Sequence, residues 1–201
     1  MNKTDARIDL REKVTVFQGY FRVDLYRLRH RKFDGGWTGE MSREIFERGH
    51  AASVLLYDPD LDAVVLIEQF RAGALAAGFE PWLIEIVAGI IEDGEEPGYV
   101  VRREAIEEAG CPITDLEPIG TVLLTPGGSS ETLAMFCGRV DSTKAGGVHG
   151  LDYEHEDIRV FVVPFSQAMN DLAAGRYLNS PIVMSLQWLA LNRNELRKKW
   201  L

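Results

Sequence analysis

The stretch from Gly89 to Cys111, GIIEDGEEPGYVVRREAIEEAGC, most constrains what this chain can fold into. It reads as a helix from Pro97 to Ala109, with proline tolerated in the first turn and Gly110 placed to cap the end. On that helix Glu104 and Glu108 are i,i+4 neighbours, and Glu107 lies i+3 from Glu104. Three carboxylates therefore crowd one side of about one and a half turns. Like charges at that spacing repel, and a divalent cation would relieve the repulsion. Hard ions such as Mg²⁺ prefer carboxylate oxygens and keep waters or substrate phosphates as further ligands. The stretch thus points to metal-dependent chemistry on a phosphate-bearing substrate. The competing view is a surface helix whose acids simply pair with Arg and Lys.

Composition narrows the partners. A formal net charge of -9 gives no general attraction to nucleic acid or to an anionic membrane surface. A phosphate-bearing ligand must then be held by local arginines or by a metal. The two cysteines, Cys111 and Cys137, lack paired spacing and read as free thiols in a reducing compartment. The N-terminal MNKTDARIDLREK is charged and has no apolar core, so it is not read as a signal peptide. No apolar run approaches the roughly 20 residues that span a bilayer. Cytoplasmic residence is the expectation.

The first quarter reads as a small antiparallel sheet, with strands over 14–18, 20–30 and 43–49. Phe21, Val23 and Leu25 share one face before the alternation slips at Arg27. Many arginines, with Tyr20, Phe21 and Tyr26 among them, fit either an exposed sheet face or a binding surface. Such a sheet has little core of its own and calls for packing against the main domain or a second subunit. From His50 the pattern changes to strongly apolar strands at 51–57 and 63–70, then a strand at 82–87 that leads into Ala88 and Gly89. Val100 or Val101, with Ala105 and Ile106, form the expected inward stripe of the helix. Further strands are expected at 117–125, 132–140 and 158–164, with a long polar loop over 141–157. Two helices close the chain, 166–175 capped by Ser166 and 180–192 capped by Ser180.

Gly89, Glu95, Arg103, Glu104, Ala105, Glu107, Glu108, Gly110 and Cys111 stand at the spacing of the Nudix box, and every fixed position of that signature matches. Only its bulky aliphatic slots are departed from, by the smaller Ala105 and Cys111. The chain therefore resembles the Nudix hydrolases. The resemblance runs from about Phe17 to the end and is nearest to the ADP-ribose pyrophosphatase branch, whose N-terminal sheet is swapped between subunits. It is carried by Arg43–Ala52, Ile67–Arg71, Thr125–Glu131 and Gly147–Val160, and by Pro126, which lies 16 residues past Gly110. The fold class implied is α/β (α+β): a Nudix α/β/α sandwich with a mixed sheet, residues 50–201, plus a small antiparallel sheet, residues 1–49, for dimerisation and substrate recognition.

The same resemblance implies roles. Glu104 and Glu108 are metal ligands, and Glu107 joins them or orients a metal-bound water. Ala88 offers its carbonyl as a further ligand, Gly89 permits a sharp backbone path, and Arg103 pairs with Glu95. Arg71 holds a substrate phosphate, Arg43 and Glu131 contact the nucleoside or terminal ribose, and Tyr20 or Phe21 stacks on adenine. Glu154 is the expected general base on a loop that closes over substrate, with His149 as a weaker alternative. Glu156 is a further metal ligand or supports one. The expected activity is hydrolysis of ADP-ribose to AMP and ribose 5-phosphate by a homodimer using two or three Mg²⁺, for which Mn²⁺ is a possible substitute. Its rivals are the same chemistry on another nucleotide sugar, such as GDP-mannose or ADP-glucose, and a Nudix-fold regulator that senses ADP-ribose.

Overall fold

The computed structural model describes residues 5–201, the side chain of Glu154 excepted. By their internal contacts the residues form two compact units. One runs to Gly49 and includes Leu123–Thr132; the other comprises His50–Val122 and Leu133–Leu201.

In the first unit, β1 (Ile8–Gln18), β2 (Arg22–His30) and β3 (Met41–Glu47) form an antiparallel sheet in that order. β1 begins well before the expected strand at 14, and its register slips between Leu10 and Glu12 and again between Thr15 and Phe17. Those irregularities break the period-2 alternation that would have marked the strand. The arginines are largely accounted for by opposite-charge pairs. Arg29 meets Asp9 at 2.7 Å, Arg27 meets Glu12 at 3.2 Å, and Arg22 and Lys13 flank buried Asp24 at 3.0 and 3.2 Å. Residues 123–132 join this unit through Phe46. Its N–H donates to the Gly128 carbonyl at 2.8 Å, and its carbonyl accepts the Ser129 hydroxyl at 3.1 Å.

The second unit holds an eight-stranded mixed sheet. Its main path runs β10 (Gly147–His149), β11 (Ile158–Pro164), β5 (Ala63–Phe70), β4 (His50–Asp58), β9 (Thr132–Arg139), β8 (Asp115–Leu123). β4 and β9 are parallel. β4 and β5 pair only where Leu56–Asp58 meets Ala63–Val65. Beyond that they take separate partners: β6 (Trp82–Glu85) pairs with the far half of β5, and β7 (Val87–Ile91) with the first half of β4. The single strand expected over 82–87 is therefore two strands that change partner at Ile86, because each edge of the wedge must fill its own backbone hydrogen bonds.

Both faces of this sheet are covered, which explains the continuous apolar runs of β4 and β5. Ala52, Val54, Leu56, Val65 and Ile67 pack with Val100, Val101 and Ala105 of α2 (Pro97–Glu107). Leu55, Tyr57, Val64 and Leu66 pack with α3 (Phe165–Ala173) and α4 (Ser180–Trp200). A short additional helix, Ala72–Ala76, lies between β5 and β6.

Several helix details differ from expectation. Ile106 is 57% exposed, because the buried side runs through Val101 and Ala105 to Glu108 and Ala109 just past the helix end. α2 ends at Glu107; the chain reverses at Gly110 (φ 63), and the Cys111 N–H returns to the Ala105 carbonyl at 2.9 Å. Ser166 lies inside α3, whose Phe165 N–H donates to the Asp62 carbonyl at 2.9 Å. Asn179, not Ser180, occupies the N-cap of α4. That helix also continues past residue 192 to Trp200, held by buried Leu196 and Trp200 and by a polar latch. In the latch, Asp62 accepts from Arg193 at 2.7 and 2.6 Å and from the Tyr57 hydroxyl at 2.8 Å, with Arg197 at 3.4 Å. No helix among the described residues is long and apolar enough to cross a membrane.

The latch gives a direct test. Burial would raise the Asp62 carboxyl, but Arg193, Tyr57 and Arg197 hold it below its ordinary value. Its stabilisation is therefore present above the usual Asp range and lost as pH falls through the lowered value. Asp62→Asn keeps a residue that tolerates φ 53 but removes the charge. It should lower stability by about 2 kcal/mol near neutral pH, read as a drop in Tm, and the gap from wild type should narrow in acid.

Candidate active site

The carboxylates of α2 lie over β7. Ala88 and Gly89 pair with Ser53 and Ala52 of β4, so both are inside the ladder. Gly89 has no left-handed backbone. Its lack of a side chain matters by proximity: a β-carbon would overlap the Glu104 carboxylate, which would have to swing away from the strand. The sharp backbone path expected at Gly89 is thus replaced by close approach of a side chain. The Ala88 N–H donates to Glu108 Oε2 at 3.1 Å, which fastens the end of the helix to the strand.

Arg103 spans the acids, with Glu104 at 2.8 Å, Glu107 at 2.9 Å and Glu95 at 3.8 Å. The expected Glu95 pair is formed, but the nearer partners are Glu104 and Glu107. Glu95 also accepts the Glu92 N–H at 3.0 Å, closing the lead-in to the helix.

The electrostatics bring Glu104, Glu108 and Glu156 into one field. Burial drives the Glu108 carboxyl up to about 8; the Ala88 N–H and Arg71 oppose this, while Glu104 and Glu156 add to it. Glu104 is raised to about 7, chiefly by burial, with Arg103 opposing and Glu107 and Glu156 reinforcing. Glu156 is tied to its own loop, where its Oε2 accepts the Leu151 N–H at 3.2 Å. Gly150 (φ +106) permits that fold, since a β-carbon there would lie 2.7 Å from Glu156 Cβ. The loop is not featureless, because it contains β10 and a 3₁₀ turn at Asp152–Glu154. His149 is anchored through Nε2 to the Gly146 carbonyl at 2.9 Å and lies against Gly110, where a β-carbon would meet its ring at 2.8 Å. It packs as a loop anchor. The Glu154 side chain lies outside the described residues.

Among the described residues, no three His, Cys, Asp or Glu side chains form a ready-made metal group. The donor chemistry nonetheless suits a hard divalent ion: oxygen donors only, crowded on a strand that glycine leaves open, with their charge disfavoured by burial and by one another.

Arg71 follows the end of β5, half-exposed, with Nε 2.9 Å from Glu85 Oε2. The remaining expected contacts belong to the N-terminal unit. Tyr20 is 88% exposed and meets Phe21 edge-on at 4.8 Å. Arg43 donates to the Ser42 carbonyl at 2.7 Å. Glu131 is buried and paired with Arg48 at 2.9 Å.

Two residues escaped the sequence reading. Arg48 holds Glu131, and nothing in its local pattern marks it. Glu85 is buried and takes Gln69, Arg71 and Asn179. Its signal was present: a lone acid within the apolar run TrpLeuIleGluIleVal.

Residues 47–183 match the NUDIX domain. The chain belongs to the Nudix family. It is 49% identical over 198 residues to the ADP-ribose pyrophosphatase of Escherichia coli, covering 98% of this chain and 94% of that one. It is also 36% identical over 152 residues to a GDP-mannose pyrophosphatase of Escherichia coli, covering 75% and 78%. A solved structure described as an ADP compounds hydrolase superposes with a TM-score of 0.70 at 19% identity, covering 94% and 97%, and shares the Nudix fold. Nudix pyrophosphatases generally use divalent metal ions.

Glu104 and Glu108, raised on folding, make a pH-dependent contribution to stability in the absence of metal. The folded state holds their protons more tightly than the unfolded chain, so the contribution of these two groups is fully present below the ordinary Glu range and is lost as pH rises through about 7 and about 8. Glu108→Gln removes the larger share. In calorimetry with chelator, the decline in Tm between about pH 5 and pH 9 should be shallower in this variant than in wild type.

Proposed function

We propose that this Nudix hydrolase cleaves the diphosphate of ADP-ribose with water, giving AMP and ribose 5-phosphate, and that Mg²⁺ is its metal. The observation that carries the reading is Glu104 packed on Gly89 beside Glu108 on the Ala88 N–H, with Arg71 in the same field. Identity over nearly the whole length to an ADP-ribose pyrophosphatase supports the substrate. Glu104, Glu108 and Glu156, with the Ala88 carbonyl, are the residues that would hold the metal. When bound, such an ion offsets diphosphate charge and makes water a better nucleophile.

The chain's own groups supply the rest. Arg71 binds the diphosphate, and Glu154 accepts the proton of the attacking water. Glu107 orients that water, held by Arg103. Arg43 and Glu131 contact the nucleoside or terminal ribose, and Tyr20, exposed and braced edge-on by Phe21, stacks on the adenine. The N-terminal sheet is the dimerisation and recognition unit. Val14, Val16 and Phe17 of β1 are 42%, 52% and 60% exposed, an apolar surface suited to a second copy. Buried free thiols at Cys111 and Cys137 support a reducing, cytoplasmic setting.

The GDP-mannose pyrophosphatase relative favours a second substrate of the same class. A regulator that only senses ADP-ribose is disfavoured by the complete carboxylate set.

Hydrolysis in ¹⁸O-labelled water across ADP-ribose, ADP-glucose and GDP-mannose tests substrate and attacked phosphorus together. ADP-ribose should give the highest kcat/KM, with no turnover in chelator. Glu104→Gln should reduce kcat by about a hundredfold or more; retained turnover would remove the metal site. Unchanged kcat in Glu154→Gln would remove that residue as base. Mg²⁺ competes with protons for the raised carboxyls, so its stabilising shift in Tm should be larger near pH 8.5 than near pH 6. A monomeric mass in solution would refute the dimer.

A further inference from the structure

Glu85 ends β6 as a carboxylate buried to 3% exposure in an otherwise apolar strand. Burying an acid is costly unless its oxygens are filled, and here three donors fill them. Gln69 of β5 donates at 3.3 Å and Arg71 Nε at 2.9 Å, both to Oε2, while Asn179 donates to Oε1. Only Arg71 among these is charged.

Two details mark the arrangement as more than a filled buried acid. The first is which atom of Arg71 is used. A guanidinium is a planar fork with five N–H donors, and Glu85 takes the single one on Nε. Among the described residues the terminal Nη groups have no hydrogen-bond partner, and the side chain is 44% exposed. The plane is thus fixed from behind while the paired donors, which match two oxygens of one phosphate, stay available. The second is Asn179. It stands at the N-cap of α4, yet makes no side-chain cap hydrogen bond; its amide goes to Glu85 instead. The stabilising side-chain cap that Asn favours is absent where α4 begins, and the side chain supports the carboxylate that holds Arg71.

We infer that Glu85 is a positioning residue for substrate binding: it orients the Arg71 guanidinium so that both Nη groups meet the diphosphate. The inference rests on the assignment of Arg71 to the diphosphate made above. It makes three secondary-structure elements responsible for one side chain: β5 through Gln69, β6 through Glu85 itself, and α4 through Asn179. Substituting the buried acid would leave Arg71 in place but free to rotate, and a mobile guanidinium binds phosphate less well than a fixed one.

The test is steady-state hydrolysis of ADP-ribose by the full-length protein, with Tm measured for every variant. Arg71→Ala should lower kcat/KM by about a hundredfold. Glu85→Gln, similar in shape but uncharged, should lower it by about tenfold, mainly through KM. The double variant should be no worse than Arg71→Ala alone, because Glu85 acts through Arg71. Equal penalties for Glu85→Gln in both backgrounds would mean a structural role and overturn the inference, as would unchanged kcat/KM in the single variant. Arg71→Lys keeps the charge and the fold but has no Nε–H and no planar fork. It should lose most of the activity lost by Arg71→Ala, and wild-type kcat/KM in this variant would overturn the inference even if Glu85 variants do not fold. Unchanged kcat/KM in Arg71→Ala would instead remove Arg71 from the diphosphate, and the role of Glu85 with it. Additive penalties in an impaired Arg71 background would remove only Glu85.

Discussion

Glu104 occupies the space that a β-carbon at position 89 would fill, and the acidic end of α2 is built on that contact. A carboxylate set on a helix reaches a strand of the central sheet with nothing between them. α2 must therefore lie flat on β7, which it does by burying Val100, Val101 and Ala105 on the core side. Glu108 completes the attachment by accepting the Ala88 N–H, so a buried acid is also a structural fastener. The cost of this arrangement is electrostatic. Burial and mutual repulsion make the anionic forms of Glu104 and Glu108 unfavourable, and an oxygen-seeking cation relieves the same strain that the fold creates.

Arg103 and Arg71 divide the compensating charge between them. Arg103 serves the outer acids and bridges the helix to its lead-in at Glu95. Arg71 is held through Nε on Glu85. Neither cation is paired by a simple surface contact, and each is oriented by a carboxylate that sits in or behind the site.

Much of this was legible in the residues. The box from Gly89 to Cys111 announced the helix and its acids, because spacing on a helix is a purely local property. The β4, β5 and β11 runs were equally plain, since a strand covered on both faces needs an uninterrupted apolar sequence. What failed to show depended on distant partners. The break at Ile86 comes from the divergence of β4 and β5, which no local pattern encodes. The extension of α4 to Trp200 depends on Asp62, more than a hundred residues earlier. The irregular pairing of β1 hid its first part, before residue 14, by shifting its alternation. Glu85 lay in plain view as an acid in an apolar run, but its partners Gln69 and Asn179 come from other parts of the chain.

The excursion of Leu123–Thr132 has a consequence for modularity. The chain leaves the eight-stranded sheet after β8, joins the N-terminal unit beside Phe46, and returns as β9. A fragment beginning at His50 would retain the strands of that sheet but separate Glu131 from Arg48 and Gly128 from Phe46. The N-terminal sheet is consequently not an appendage that recombination can trade as one contiguous segment. Inheritance of that unit is linked across the chain: the first 49 residues and Leu123–Thr132 must change hands together, or a buried carboxylate arrives without its counter-ion.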